Sequence, residues 1–120
     1  MKNIVLVEDD PSIAKLVEFK LKKTGYNVVR FVNPVGVMDY LLNNNVDLIL
    51  SDVMMPVIDG IEMIKEIKKI EKIADIPIVL LTSLGHESAV LSGIEAGAAD
   101  YIVKPFSTVE LVARIRNILN

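Results

Sequence analysis

A chain of 120 residues, 52% of them hydrophobic, is large enough for one core and too small for two. It has no cysteine, which excludes disulfides, thiolate metal sites and cysteine nucleophiles, and its net charge of −3 argues against bulk electrostatic binding of nucleic acid. Met1-Lys2-Asn3 leads into an apolar run too short for a signal peptide, and no run approaches the roughly 18–20 residues that cross a bilayer. The expected setting is therefore cytoplasmic, with no membrane partner.

The first apolar run, Ile4–Val7, is too short for a helix and ends in Glu8, Asp9 and Asp10. Asp10-Pro11 places a capping residue before a proline at the first helical position, so Asp10 reads as an N-cap rather than a metal ligand. Ile13, Leu16, Val17 and Leu21 then recur at helical spacing, with Lys15, Lys22 and Lys23 on the polar side and Gly25 as a left-handed stop. Val28–Phe31 is the second run, and Asn33-Pro34 is expected to open a second helix as Asp10-Pro11 opens the first. Leu48–Leu50 is the third, followed by Asp52. Asp59-Gly60 turns into a helix carrying Ile61, Ile64, Ile67 and Lys68. Ile78–Leu81 leads to Thr82, and Tyr101–Val103 leads to Lys104. Ser107-Thr108-Val109-Glu110 reads as a capping box before a last helix with Leu111, Ile115, Ile118 and Leu119 on its apolar face.

Runs that are continuously apolar rather than alternating indicate strands covered on both faces, as in a parallel sheet. Five such strands alternating with five helices predict a single (βα)5 domain over residues 1–120, of α/β class. Right-handed crossovers favour a doubly wound, flavodoxin-like five-stranded parallel sheet of order 2-1-3-4-5.

The polar residues fall where such a sheet binds ligands. Glu8 and Asp9 follow the first strand, Asp52 the third, Thr82 the fourth and Lys104 the fifth, all on one edge. Strands one and three are neighbours in this order, so the three carboxylates converge. At about 5 Å and an effective dielectric near 20, each pair repels by on the order of 3 kcal/mol. Protonation, Lys104 or a hard cation would relieve this, and an all-oxygen donor set suits Mg2+. Lys104 and Thr82 supply a cation and a hydroxyl for phosphoryl oxygens, and an aspartyl carboxylate is a known phosphoryl carrier. The expected chemistry is phosphoryl transfer to Asp52. His86, the only histidine, reads as a solvated loop residue, and Met54 and Met55 as loop packing.

Val7-Glu8-Asp9-Asp10, Ser51-Asp52-Val53-Met54-Met55-Pro56 with Asp59-Gly60, Leu81-Thr82-Ser83 and Asp100-Tyr101-Ile102-Val103-Lys104-Pro105-Phe106 together resemble the receiver domain of two-component response regulators, the CheY-like family. The resemblance implies that Asp52 is the phosphoacceptor. It makes Asp9, Asp52 and the backbone carbonyl of Met54 direct Mg2+ ligands, with Glu8 acting through metal-bound water and Mn2+ as a substitute ion. It makes Thr82 and Tyr101 a switch pair, and Lys104, before a cis Pro105, the partner of the phosphoryl group. The implied partners are a sensor histidine kinase or a His-phosphotransfer protein upstream, and an effector protein or effector domain downstream. Self-phosphorylation and self-dephosphorylation are implied, without turnover of an external substrate.

Asp100, Glu110 and Arg114 resemble the salt-bridge set of receivers in winged-helix transcription factors of the OmpR/PhoB kind, but Val90 and Ala96 stand where a base and an acid are expected. A monomer or weak phosphorylation-dependent homodimer follows. Met54 and Leu84 occupy the two positions that tune phosphoryl lifetime in the family, and being apolar they predict a slow loss. A phosphatase with an aspartyl nucleophile would place that residue after the first strand in an Asp-x-Asp pattern. A flavin or nucleotide domain would need a phosphate-cradling loop where three acids stand.

Overall fold

The computed structural model describes residues 1–53, 60–83 and 87–120; the expectations placed on Met54, Met55, Asp59, Leu84 and His86 lie outside them. The elements are β1 (Asn3–Val7), α1 (Pro11–Thr24), β2 (Asn27–Phe31), α2 (Val37–Asn43), β3 (Leu48–Asp52), α3 (Gly60–Lys68), β4 (Ile78–Ser83), α4 (Glu87–Ala96), β5 (Asp100–Lys104) and α5 (Thr108–Leu119). The five strands pair in parallel in the order β2-β1-β3-β4-β5, the doubly wound topology expected. Among the described residues, no helix is long and apolar enough to cross a membrane.

Each face of the sheet has its own core. Leu6, Leu50, Val79, Leu81 and Ile102 pack against Ala14, Val17 and Leu21 of α1 and Leu111, Val112 and Ile115 of α5. Val5, Val7, Ile49, Ile78 and Leu80 pack against Val37 and Leu41 of α2 and Met63, Ile64 and Ile67 of α3. The central strands therefore need apolar residues at every position, which is why they read as unbroken runs.

Local signals set several helix ends. Asp10 Oδ1 accepts the Ser12 and Ile13 amides at 2.8 and 3.2 Å, so it is the α1 N-cap. Gly25 takes φ 110°, and the amides of Gly25 and Tyr26 close on the carbonyls of Lys22 and Leu21. Ser107 Oγ accepts the Glu110 amide at 3.0 Å. The Glu110 carboxylate does not complete the capping box: it turns to Arg114 Nη2, 3.6 Å away.

Two expectations are corrected. Asn33-Pro34 does not open α2. The Asn33 side chain accepts the Val35 amide and Pro34 O accepts the Val37 amide, forming a turn. The helix begins after Gly36, at φ 86°, where Val37 and Leu41 can both enter the core. Leu16 is 48% exposed rather than part of the α1 core face. The buried stripe runs through Ala14, Val17 and Leu21, and 100° per residue turns Leu16 away from it.

Candidate functional site

The strands reach further than their apolar runs, and that extension builds the site. Asp52 and Lys104 are the last residues of β3 and β5, and Glu8 follows β1 directly. Side chains two apart along a strand share a face. Glu8 thus follows Leu6, Asp52 follows Leu50 and Lys104 follows Ile102, all on the α1/α5 side. Three separate strands deliver two acids and one base above the same core.

The resulting contacts are short. Lys104 Nζ lies 2.8 Å from Glu8 Oε1 and 3.1 Å from Asp52 Oδ2. Ligand oxygens of Glu8, Asp9 and Asp52 all lie within 4.8 Å of one another. Glu8 is wholly buried and its other oxygen accepts the Asp10 amide at 3.1 Å. Asp9 is exposed at the rim. Three carboxylates against one ammonium leave an excess of negative charge that a hard, oxygen-seeking divalent cation would neutralise, so the donor set fits such an ion.

Burial pushes the Glu8 carboxyl up from 4.5 to about 7, with the negative Asp52 adding to the rise, while Lys104 and the Asp10 amide oppose it. Burial works against the Lys104 ammonium, but its hydrogen bond to Glu8 and the charge of Asp52 outweigh this and raise its pKa. Without metal, the folded state keeps the Glu8 proton to about pH 7, whereas the unfolded chain releases it near 4.5. Between those values the native state binds more protons, so stability falls as pH rises. The expected loss from this group is on the order of 3 kcal/mol by about pH 8. Denaturant unfolding of the metal-free protein and of Glu8→Gln across that range measures it. An equal slope in both would show that Glu8 is not its source.

Thr82 is buried, and in register it stands opposite Val103. It shares the α2/α3 face with Leu80, not the face of Asp52. Among the described residues its hydroxyl reaches only Ser83 O, at 3.4 Å. Tyr101 stands opposite Leu80, so it lies diagonally from Thr82 on that same face, 39% exposed. The Lys104–Pro105 peptide is cis. Met54, whose carbonyl the resemblance makes a metal ligand, lies outside the described residues.

One residue of the site, Arg30, escapes sequence reasoning, whereas Gly60 is expected at the turn into the third helix. Arg30 donates from Nε and Nη2 to Glu8 O at 3.1 and 2.9 Å, although a single arginine in an edge strand forms no motif. Gly60 donates its amide to Val53 O at 2.8 Å, and a Cβ there would lie 2.5 Å from Asp52 O. Only glycine lets α3 start so close to the end of β3.

The model of the response regulator receiver domain family matches residues 4–116. The chain belongs to that family. The receiver domain is 36% identical over 119 residues to the DNA-binding dual master transcriptional regulator RpaA of Synechocystis, covering 99% of this chain and 49% of that protein. It is 39% identical over 118 residues to the phosphate regulon transcriptional regulatory protein PhoB of Pseudomonas aeruginosa, covering 98% and 52%. The receiver domain thus spans about half the length of these curated relatives. Its fold matches the crystal structure of the chemotaxis protein CheY4 of Vibrio cholerae with a TM-score of 0.92 at 28% identity, covering 99% of both chains. Receiver domains of response regulators are signalling modules, and this chain is one of them.

Proposed function

We propose that residues 1–120 form one receiver domain that serves as the phosphoacceptor module of a two-component phosphorelay, with Asp52 as the acceptor. The observation that carries this reading is the convergence of Glu8, Asp9 and Asp52 within 4.8 Å, with Lys104 3.1 Å from Asp52. In this mechanism an Asp52 carboxylate oxygen attacks phosphorus, the donor's P–N or P–O bond breaks, and the bonding pair leaves with the donor. Asp9, Asp52 and the Met54 carbonyl would hold Mg2+, with Glu8 behind a bound water. The ion would neutralise phosphoryl oxygens during transfer. Lys104, paired with two acids in the resting site, would turn to a phosphoryl oxygen. Thr82, one register position past Asp52 at the strand ends, would reach over the edge of the sheet to donate to another, and Tyr101 would respond from the face it shares with Thr82.

The donor in this reading is a sensor histidine kinase or His-phosphotransfer protein, and the setting is cytoplasmic. Two relatives are transcriptional regulators about twice as long, which supports an effector domain or separate effector protein as the listener. Phosphorylation would bias a two-state equilibrium exported through α4, β5 and α5. Arg114 is bonded to Asp100 at 3.0 and 3.1 Å within the chain, which supports a monomer or a weak phosphorylation-dependent dimer. Sedimentation with and without a beryllofluoride mimic checks this, and a stable dimer in both states would overturn it.

The direct test is incubation with acetyl phosphate and Mg2+, followed by intact mass. One phosphoryl group per chain, labile to hydroxylamine and dependent on the divalent ion, is expected. No mass change at any Mg2+ concentration would refute the reading.

A further inference from the structure

Arg30 lies half-buried on β2, the edge strand, and reaches over the end of its neighbour β1. Nε and Nη2 both donate to Glu8 O, and Nη2 also lies 3.4 Å from Asp9 O. The Glu8 amide in turn donates to Phe31 O at 3.0 Å. The main chain that carries two of the three site carboxylates is therefore gripped from two successive residues of β2. Among the described residues the guanidinium forms no ion pair, so it holds backbone rather than side chains. A planar fork on a long stem can place donors on two successive carbonyls at once, which a single ammonium does less well.

The Asp9 carboxylate has no hydrogen bond of its own among the described residues, and its side chain is exposed. Its aim is set by its backbone. We propose that Arg30 is a positioning residue for the divalent-cation site, fixing the Glu8–Asp9 turn so that the Asp9 carboxylate faces the pocket before a cation arrives. This rests on reading Glu8, Asp9 and Asp52 as a Mg2+ site. Preorganisation lowers the ordering cost of binding, so loss of the grip weakens the metal complex. The charge of Arg30 acts in the opposite direction, because a guanidinium beside the pocket repels a divalent ion. The two roles therefore predict opposite outcomes when the charge is removed.

Titration calorimetry with Mg2+ on the wild type, Arg30→Lys and Arg30→Gln separates them, with metal-free melting recorded for each. Both variants are expected to bind Mg2+ roughly tenfold more weakly, the lysine failing to rescue. Tighter binding by Arg30→Gln with wild-type binding by Arg30→Lys would reduce Arg30 to a charge and overturn the proposal. Unchanged dissociation constants with lower metal-free melting would make it merely structural and also overturn it. A wild type that binds no Mg2+ would bring down the site reading itself. Wild-type binding with unaltered variants removes only the role of Arg30.

Discussion

Asp52→Asn will reduce phosphoryl incorporation from acetyl phosphate to background while leaving the fold intact. The amide removes the nucleophilic oxygen charge but keeps the shape and the end of β3, whose pairing with β4 runs through backbone groups. Stability of the metal-free protein should change by only about 1 kcal/mol. At an effective dielectric near 20, the Asp52–Lys104 attraction at 3.1 Å amounts to about 5 kcal/mol and the repulsions of Asp52 by Glu8 and by Asp9, within 4.8 Å, to about 3 kcal/mol each, so their removal largely cancels. Intact mass and thermal melting on the same samples check the pair of statements. Incorporation that persists in the variant would move the acceptor elsewhere.

The second large effect is on metal. Mg2+ binding to the folded state alone should stabilise it by roughly 1.4–2.7 kcal/mol at ten- to hundredfold excess over the dissociation constant, a rise of several degrees in melting temperature for a domain of this size. Asp9→Asn should remove most of that rise. It deletes the rim carboxylate of the cluster while the buried Glu8–Lys104–Asp52 contacts remain. The same substitution relieves repulsion, so the metal-free variant should melt no lower than the wild type. The Mg2+ effect should also grow between about pH 6 and pH 8, because the Glu8 carboxyl, held up to about 7 by burial, must give up its proton to serve the ion. A shift that survives Asp9→Asn would overturn the ligand assignment.

Much of the fold could be read in advance because its signals are local. Asp10 reaches amides two and three residues on, Gly25 reverses the chain at its own φ, and Ser107 caps its own helix. The α2 start was misread for a related reason. Asn33 can cap a helix or close a turn with the same oxygen, and only the need of Val37 and Leu41 to reach the sheet decides between them. Leu16 shares the helical spacing of Val17 and Leu21, yet spacing does not say which stripe the sheet will cover.

By itself the sequence determined the alternation of buried runs and amphipathic helices, and with it the sheet order and the gathering of Glu8, Asp9, Asp52 and Lys104 at one edge. These follow from hydrophobic periodicity and chain chirality, which act over a few residues at a time. The tertiary structure alone decided how those groups meet. Lys104 bridges to an acid 96 residues away, Glu8 loses all contact with solvent, Thr82 falls on the opposite face from Asp52, and Arg30 grips the Glu8–Asp9 turn from the next strand. Desolvation, charge pairing and the choice of face depend on what other segments place around a residue, so no window of the chain contains them.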